Sequence, residues 1–207
     1  MRRYAICGFV MLAASFVNAQ WVPVVSKIRE ATVVTDTDGK VIEQTSKDGN
    51  FFRNSEGSTL TQWVASSAPE RTPSSGELMD NKNLALYQLQ YQTKLALLKR
   101  KLNRPRSKSD ESKLLPANNL GKSAVEGVPC TLVPAWSSNS RIGQGCYSYP
   151  YDLSLWEEVT ITTRGGQTSH IRREMYDLKL NVEPDRRLFD VSQFTVAGSI
   201  DRRSAGR

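Results

Sequence analysis

One histidine, His170, stands in a chain of 207 residues, and that scarcity removes several kinds of chemistry at once. Its neighbours Thr168, Ser169 and Arg172 offer no spacing for a nucleophile, base and orienting acid, so a surface or rim histidine is expected. Cysteine is nearly as scarce, with three in all, and Cys7 lies in an N-terminal apolar run. A structural zinc site needs about four soft ligands, more than this chain offers. The close C-x-x-C spacing of a redox pair is also absent. The sequence holds no G-x-S-x-G, no H-E-x-x-H, no phosphate loop and no dinucleotide fingerprint. Glu157 and Glu158, with Asp152 near Trp156, loosely suggest a sugar-cleaving carboxylate pair, but neighbouring strand positions point to opposite faces. The expectation is a chain that is not an enzyme and needs no metal or cofactor.

Long apolar runs are confined to the first residues. Arg2 and Arg3 form a basic start, Tyr4 to Phe16 is uncharged and apolar, and Val17-Asn18-Ala19 offers small residues for cleavage. This is the pattern of a secretory signal peptide over residues 1–19, cleaved after Ala19, and the run is too short to span a bilayer. No cysteine follows the cleavage point, so a lipid anchor there is not expected. The expected location is periplasmic or secreted, with no transmembrane segment in the mature chain.

Processing would leave 188 residues with 26 basic and 21 acidic side chains, enough for one domain with a real core. In an exported chain the remaining pair, Cys130 and Cys146, is expected to form a disulfide. Lys99, Arg100, Lys101, Arg104 and Arg106 form a basic surface segment that suits an anionic membrane or an acidic partner, or simply a solvated loop. No aromatic residue is interleaved with these cations for base stacking, so nucleic acid is not an expected partner.

The body of the chain reads as β structure. Ala31 to Thr35 is rich in β-branched residues, Asp36 to Gly39 is a turn, and Lys40 to Thr45 returns. Lys47-Asp48-Gly49-Asn50 is a second turn signal and Asn54-Ser55-Glu56-Gly57 a third, together describing an antiparallel meander. Residues 65–79 and 103–119 read as loops, and 198–207 as a disordered polar tail. Leu153 to Arg164 and Gln167 to Leu180 form a hairpin about Gly165-Gly166. A loop through Gln167 would set Ile161 opposite Ile171. Tyr147, Tyr149 and Tyr151 would share one face if extended. Residues 84–102 fit either a helix or a pair of strands by pattern alone.

Four spaced segments resemble a known family. They are Phe52-Arg53-Asn54-Ser55-Glu56-Gly57; Asp80 followed by Tyr87-Gln88-Leu89-Gln90 and Thr93-Lys94-Leu95-Ala96; Leu120-Gly121 with Val125-Glu126-Gly127-Val128; and Glu183-Pro184-Asp185 with Leu188-Phe189 and Val191. In this order they are similar to a family of exported bacterial proteins of the acidobacterial type. More loosely, they resemble the outer-membrane lipoprotein carrier, or LolA-like, superfamily. Asn81, Gln90 and Ser192 depart from that pattern, as does Ser58. The resemblance implies a mainly β fold: a curved antiparallel sheet forming an unclosed half-barrel, with one or two covering helices on its concave face. It also implies that Leu84–Gln90 and Lys94–Arg100 are strands. Within residues 20–197, taken as a single domain, Phe52, Trp63, Tyr87 and Trp156 are the expected apolar lining. The function so implied is binding of a lipid, an acylated protein or another apolar ligand. The alternative is an envelope interaction module without a small ligand.

Overall fold

The computed structural model describes residues 21–64, 72–106, 119–138 and 140–198. The expected signal peptide, most of the 103–119 loop and nearly all of the C-terminal tail lie outside the described residues. Within them the chain is one sheet of twelve strands: β1 (Val24–Thr35), β2 (Val41–Arg53), β3 (Thr59–Val64), β4 (Pro73–Asp80), β5 (Ala85–Gln90), β6 (Leu95–Lys101), β7 (Gly121–Val125), β8 (Val128–Ser138), β9 (Arg141–Ser148), β10 (Leu153–Thr162), β11 (Thr168–Leu180) and β12 (Thr195–Ala197). Their order across the sheet is β12-β6-β5-β4-β3-β2-β1-β11-β10-β9-β8-β7, so the sheet does not close into a barrel. Neighbours are antiparallel except β12, which runs parallel to β6. The 84–102 segment is a hairpin, as the resemblance implied, despite its helix-favouring composition.

Sequence and structure part at four places. The 65–79 loop is shorter than expected, because Pro73–Asp80 is strand and pairs with both β3 and β5. The turn signal at Lys47–Asn50 is no turn, and β2 runs straight through it. Gly49 is there for close approach: a Cβ would collide with the Gln62 carbonyl and would press on the Trp63 ring and Ile28. In the β10–β11 hairpin, Ile161 faces Ser169 and Ile171 faces Val159. Gly166 takes a left-handed φ of 83°, and Thr163 closes on Gln167 around a three-residue loop, which shifts the register by two. Finally, the cover is not made of regular helices. Among the described residues it is two short 3-10 turns, Arg186–Phe189 and Val191–Gln193, capped by Asp185 and Asp190.

Two apolar cores lie on opposite faces. Phe51 and Phe52 are consecutive in β2 and so point to opposite sides. Phe52 joins Leu60, Leu78, Tyr87, Leu89 and Ala96, a core closed by Leu188, Phe189, Val191 and Phe194 of the C-terminal segment. Phe51 joins Val24, Leu153, Leu155, Met175 and the bonded pair Cys130–Cys146. The second face is the inner one. Thr61 of β3 and Leu155 of β10 line one cleft although β2, β1 and β11 stand between them. Four strand spacings would separate them by about 19 Å in a flat sheet, so the sheet curls around the cleft. The covering turns therefore sit on the outer face, not on the concave face as expected.

Candidate binding cleft

The cleft has a volume of about 190 Å³ and opens on the inner face. Its apolar wall comes from Ile28 of β1, Phe51 of β2, Leu155 and Trp156 of β10, and Met175 of β11. Ile28 and Met175 are directly paired across β1 and β11, and Phe51 faces Thr61 across β2 and β3. The alternation of β1, with Val24, Ser26 and Ile28 buried and Lys27 and Arg29 exposed, is what sends Ile28 inward.

A polar knot closes one end. Arg53 is fully buried, yet among the described residues its guanidinium meets no carboxylate and donates instead to the carbonyls of Val22 (2.9 Å), Asp152 (3.0 Å) and Tyr151 (2.7 Å). Burial, and then the like charge of Arg106, lower its pKa to about 10. The Asp152 carboxylate, 1% exposed, pairs with Arg106 at 2.8 Å and accepts from the Tyr147 hydroxyl. The Trp21 ring takes both guanidiniums against it, Arg53 at 5.3 Å and Arg106 at 5.2 Å. Gly57, with φ 85°, lies so close to the Trp21 ring that any side chain there would collide with it. Thus the Phe52–Gly57 segment, noted for its family resemblance, serves to anchor the N-terminal lead and the turn before β10.

A charged belt bounds the other end. Arg173 lines the cleft and bonds to Glu30, which also holds Lys47 at 2.6 Å. Both cations lie over Trp63, Lys47 at 4.2 Å and Arg173 at 5.5 Å from the ring centre. Burial pushes the Glu30 carboxyl up. The hydrogen bonds and charges of Lys47 and Arg173 outweigh it and hold the carboxyl below its ordinary value. Two cations thus share one carboxylate, and Glu157, also in the cleft wall, is paired in register with Arg173.

The expected lining residues divide between the faces. Trp156 lines the cleft, with Arg172 over its ring at 5.4 Å. Trp63 is on the inner face beside the cleft but covered by Lys47 and Arg173. Phe52 and Tyr87 belong to the outer core. Of the basic segment, Lys99, Arg100, Lys101 and Arg104 are exposed, whereas Arg106 turns inward and is a cleft residue rather than part of the surface patch. Ile28, Leu155, Met175 and Arg173 escaped sequence reasoning; only the alternating burial of β1 and β10 carries a signal for them. His170 is exposed, with its Nδ1 3.2 Å from the Thr160 hydroxyl. Glu157 faces the cleft, while Glu158 accepts from Gln144 and pairs with Arg172, so the two carboxylates do not converge on one site. Among the described residues no group of His, Cys, Asp or Glu is placed to hold a metal ion, and no helix is long and apolar enough to cross a membrane.

No protein-family model matches the chain, and no curated protein matches it. Solved structures do overlap it. A LolA superfamily protein from Nitrosomonas europaea is 10% identical with a TM-score of 0.35, over 83% of this chain and 90% of that one. The MucA/MucB complex of Pseudomonas aeruginosa gives 11% identity and a TM-score of 0.40, over 83% and 58%. A structure of PNGF-II gives 14% identity and a TM-score of 0.43 over 84% of this chain, which spans only 31% of that longer one. None of these likenesses assigns an activity, a ligand or a partner.

Proposed function

We propose that the chain is a non-catalytic, exported binding protein that holds the apolar end of a lipid or of an acylated protein in its inner-face cleft. The observation that carries this reading is the open cleft between Ile28, Phe51, Leu155 and Met175 on a curled sheet. Burying hydrocarbon there is favourable by about 25 cal/mol per Å² of apolar surface. The leader-like N-terminus supports export. The size of the cleft limits what enters: whole small ligands occupy pockets of about 300–1,000 Å³, so about 190 Å³ takes part of a molecule. The end of an acyl chain fits that description.

The test is to purify the chain from the periplasm without detergent, extract it, and weigh the extract by mass spectrometry. Titration with a dansyl-labelled fatty acid follows. The expected result is co-purified lipid, saturable probe binding, and loss of binding in a Met175→Trp variant that keeps its strand signature. An empty extract together with no probe binding would overturn the reading. The same volume admits one apolar side chain of a protein partner, which gives the second reading. Crosslinking would then trap one dominant protein, and the extract would hold no lipid.

A further inference from the structure

We infer that the open end of β6 docks on an anionic lipid bilayer and sets the cleft beside the contact. On the central strands several exposed cations are paired locally. Lys27 pairs with Asp177 at 3.6 Å, Arg29 with Asp48 at 2.9 Å, Lys47 with Glu30, and Arg172 with Glu158 at 3.4 Å. At the end of β6 this stops. Lys99, Arg100, Lys101 and Arg104 are exposed, and among the described residues none of their side chains has an ion-pair or hydrogen-bond partner. Register sets Lys101 opposite Ala85 and Arg100 opposite Leu86, next to the turn that carries the equally exposed Lys82. The nearby carboxylate, Asp80, is buried and occupied by the backbone N–H groups of Lys82 and Asn83 and by the Asn83 amide.

The shape of the patch selects the partner. β12 covers β6 only at Leu95, Ala96 and Leu97, so residues 98–101 form an open edge of the sheet. Register puts Arg100 on the Leu86 face of the sheet and Lys101 on the Ala85 face, with Lys99 at the bulge beside them, so the cations straddle the edge. Cations that straddle an edge line no pocket and present no fixed fork to a single anion. They suit a broad, laterally mobile anionic surface, where each Lys or Arg near the plane raises partitioning about fivefold. The segment then runs from Arg104 to Arg106, which reaches Asp152 inside the cleft. A bilayer held at 99–104 therefore lies close to the cleft. This goes beyond the cleft reading and fails separately from it.

The experiment is co-sedimentation of the purified chain with vesicles of phosphatidylcholine alone and with vesicles containing phosphatidylglycerol. Binding is expected only to the second, and to weaken as salt is raised. Replacing Lys99, Arg100, Lys101 and Arg104 by Gln should cut partitioning a hundredfold or more, by the same per-charge factor. All four are exposed, so the melting temperature should not move. A variant neutralised at Lys40, Arg164, Arg186 and Arg187 should bind as the parent does. Equal binding by the patch variant, or equal binding by both neutralised variants, would overturn the inference. So would binding of the chain to polyglutamate but not to phosphatidylglycerol vesicles. Dansyl fatty acid binding retained by the patch variant, with vesicle binding lost, supports a dock distinct from the cleft; absence of probe binding with vesicle binding intact removes only the cleft reading.

Discussion

Replacing Arg53 by Met tests whether the polar knot holds the cleft end together. Three backbone carbonyls, of Val22, Tyr151 and Asp152, would lose the Arg53 donor at a site where Arg53 itself is fully buried, although the Asp152 carbonyl keeps a long contact from the Arg106 guanidinium at 3.5 Å. Each orphaned buried acceptor costs about 1–3 kcal/mol. Acting against this, the guanidinium is itself expensive to bury, as its pKa of about 10 records, and methionine removes that cost while filling much of the same volume. Losing Arg53 also removes a cation near Asp152, leaving Arg106 as that carboxylate's charged partner. The balance is a net loss of about 3 kcal/mol, since two carbonyls stripped of Arg53 and a third held by a long contact alone outweigh one desolvated charge. For a domain of this size that lowers the melting temperature by about 6–12 °C. The assay is urea unfolding followed by tryptophan fluorescence, with a thermal melt beside it. Arg53→Lys should fall between the two, because one ammonium cannot reach three carbonyls set around a planar fork. A methionine variant within about 1 kcal/mol of the parent would refute the reasoning, since it would mean water or a shift of the turn satisfies all three carbonyls at little cost.

Gly57→Ala should cost about 2–3 kcal/mol by urea unfolding, from a left-handed φ of 85° and a displaced Trp21 ring. Glu30 contributes stability that is fully present above its ordinary pKa of 4.5 and is lost as pH falls through its depressed value in the fold. A pH series of melts should show that acid-side loss, and Glu30→Gln should flatten it. Reducing Cys130–Cys146 reopens a 16-residue separation and should lower stability by about 3 kcal/mol, read as a shift in urea midpoint with and without reductant.

Much of the fold was legible because turn chemistry is local. Gly39, Gly57 and Gly166 each take the left-handed φ that a turn demands, and each marks a turn seen in the sequence. Lys47–Asn50 shows the limit of that reading. Gly49 has the composition of a turn, but its reason is non-local: the Gln62 carbonyl and the Trp63 ring arrive from a different strand. The 84–102 hairpin was hidden for a similar reason. Leu, Ala, Gln and Lys favour helix in isolation, and what overrides them is burial of Tyr87, Leu89 and Ala96 in a core shared with β3, β4 and the C-terminal segment.

The site was less legible than the fold because both faces of the sheet are partly buried. Where one face is wet, alternation shows which side chains point inward. Here Phe51 and Phe52 are both apolar, and so are Leu60 and Trp63 three positions apart, so period-two reasoning cannot say which of each pair meets a ligand. The direction of curl decides it. That follows from distant packing: Leu188, Phe189 and Phe194 cover the Phe52 side and fill it, which leaves the Phe51 side to curve around open space. Large aromatic residues therefore went mostly to the filled core. The cleft wall was left to Ile28, Leu155 and Met175, residues whose types carry no mark of binding. Charge sorts by the same geometry. Arg106 belongs by sequence to a run of exposed cations, yet the curl brings Asp152 within 2.8 Å of it, and it becomes part of the cleft. Arg104, two residues earlier, meets no such carboxylate and stays on the surface. A shared composition thus divides into an inner, compensated charge and an outer, uncompensated one at the point where the chain passes from the edge of the sheet to its concave side.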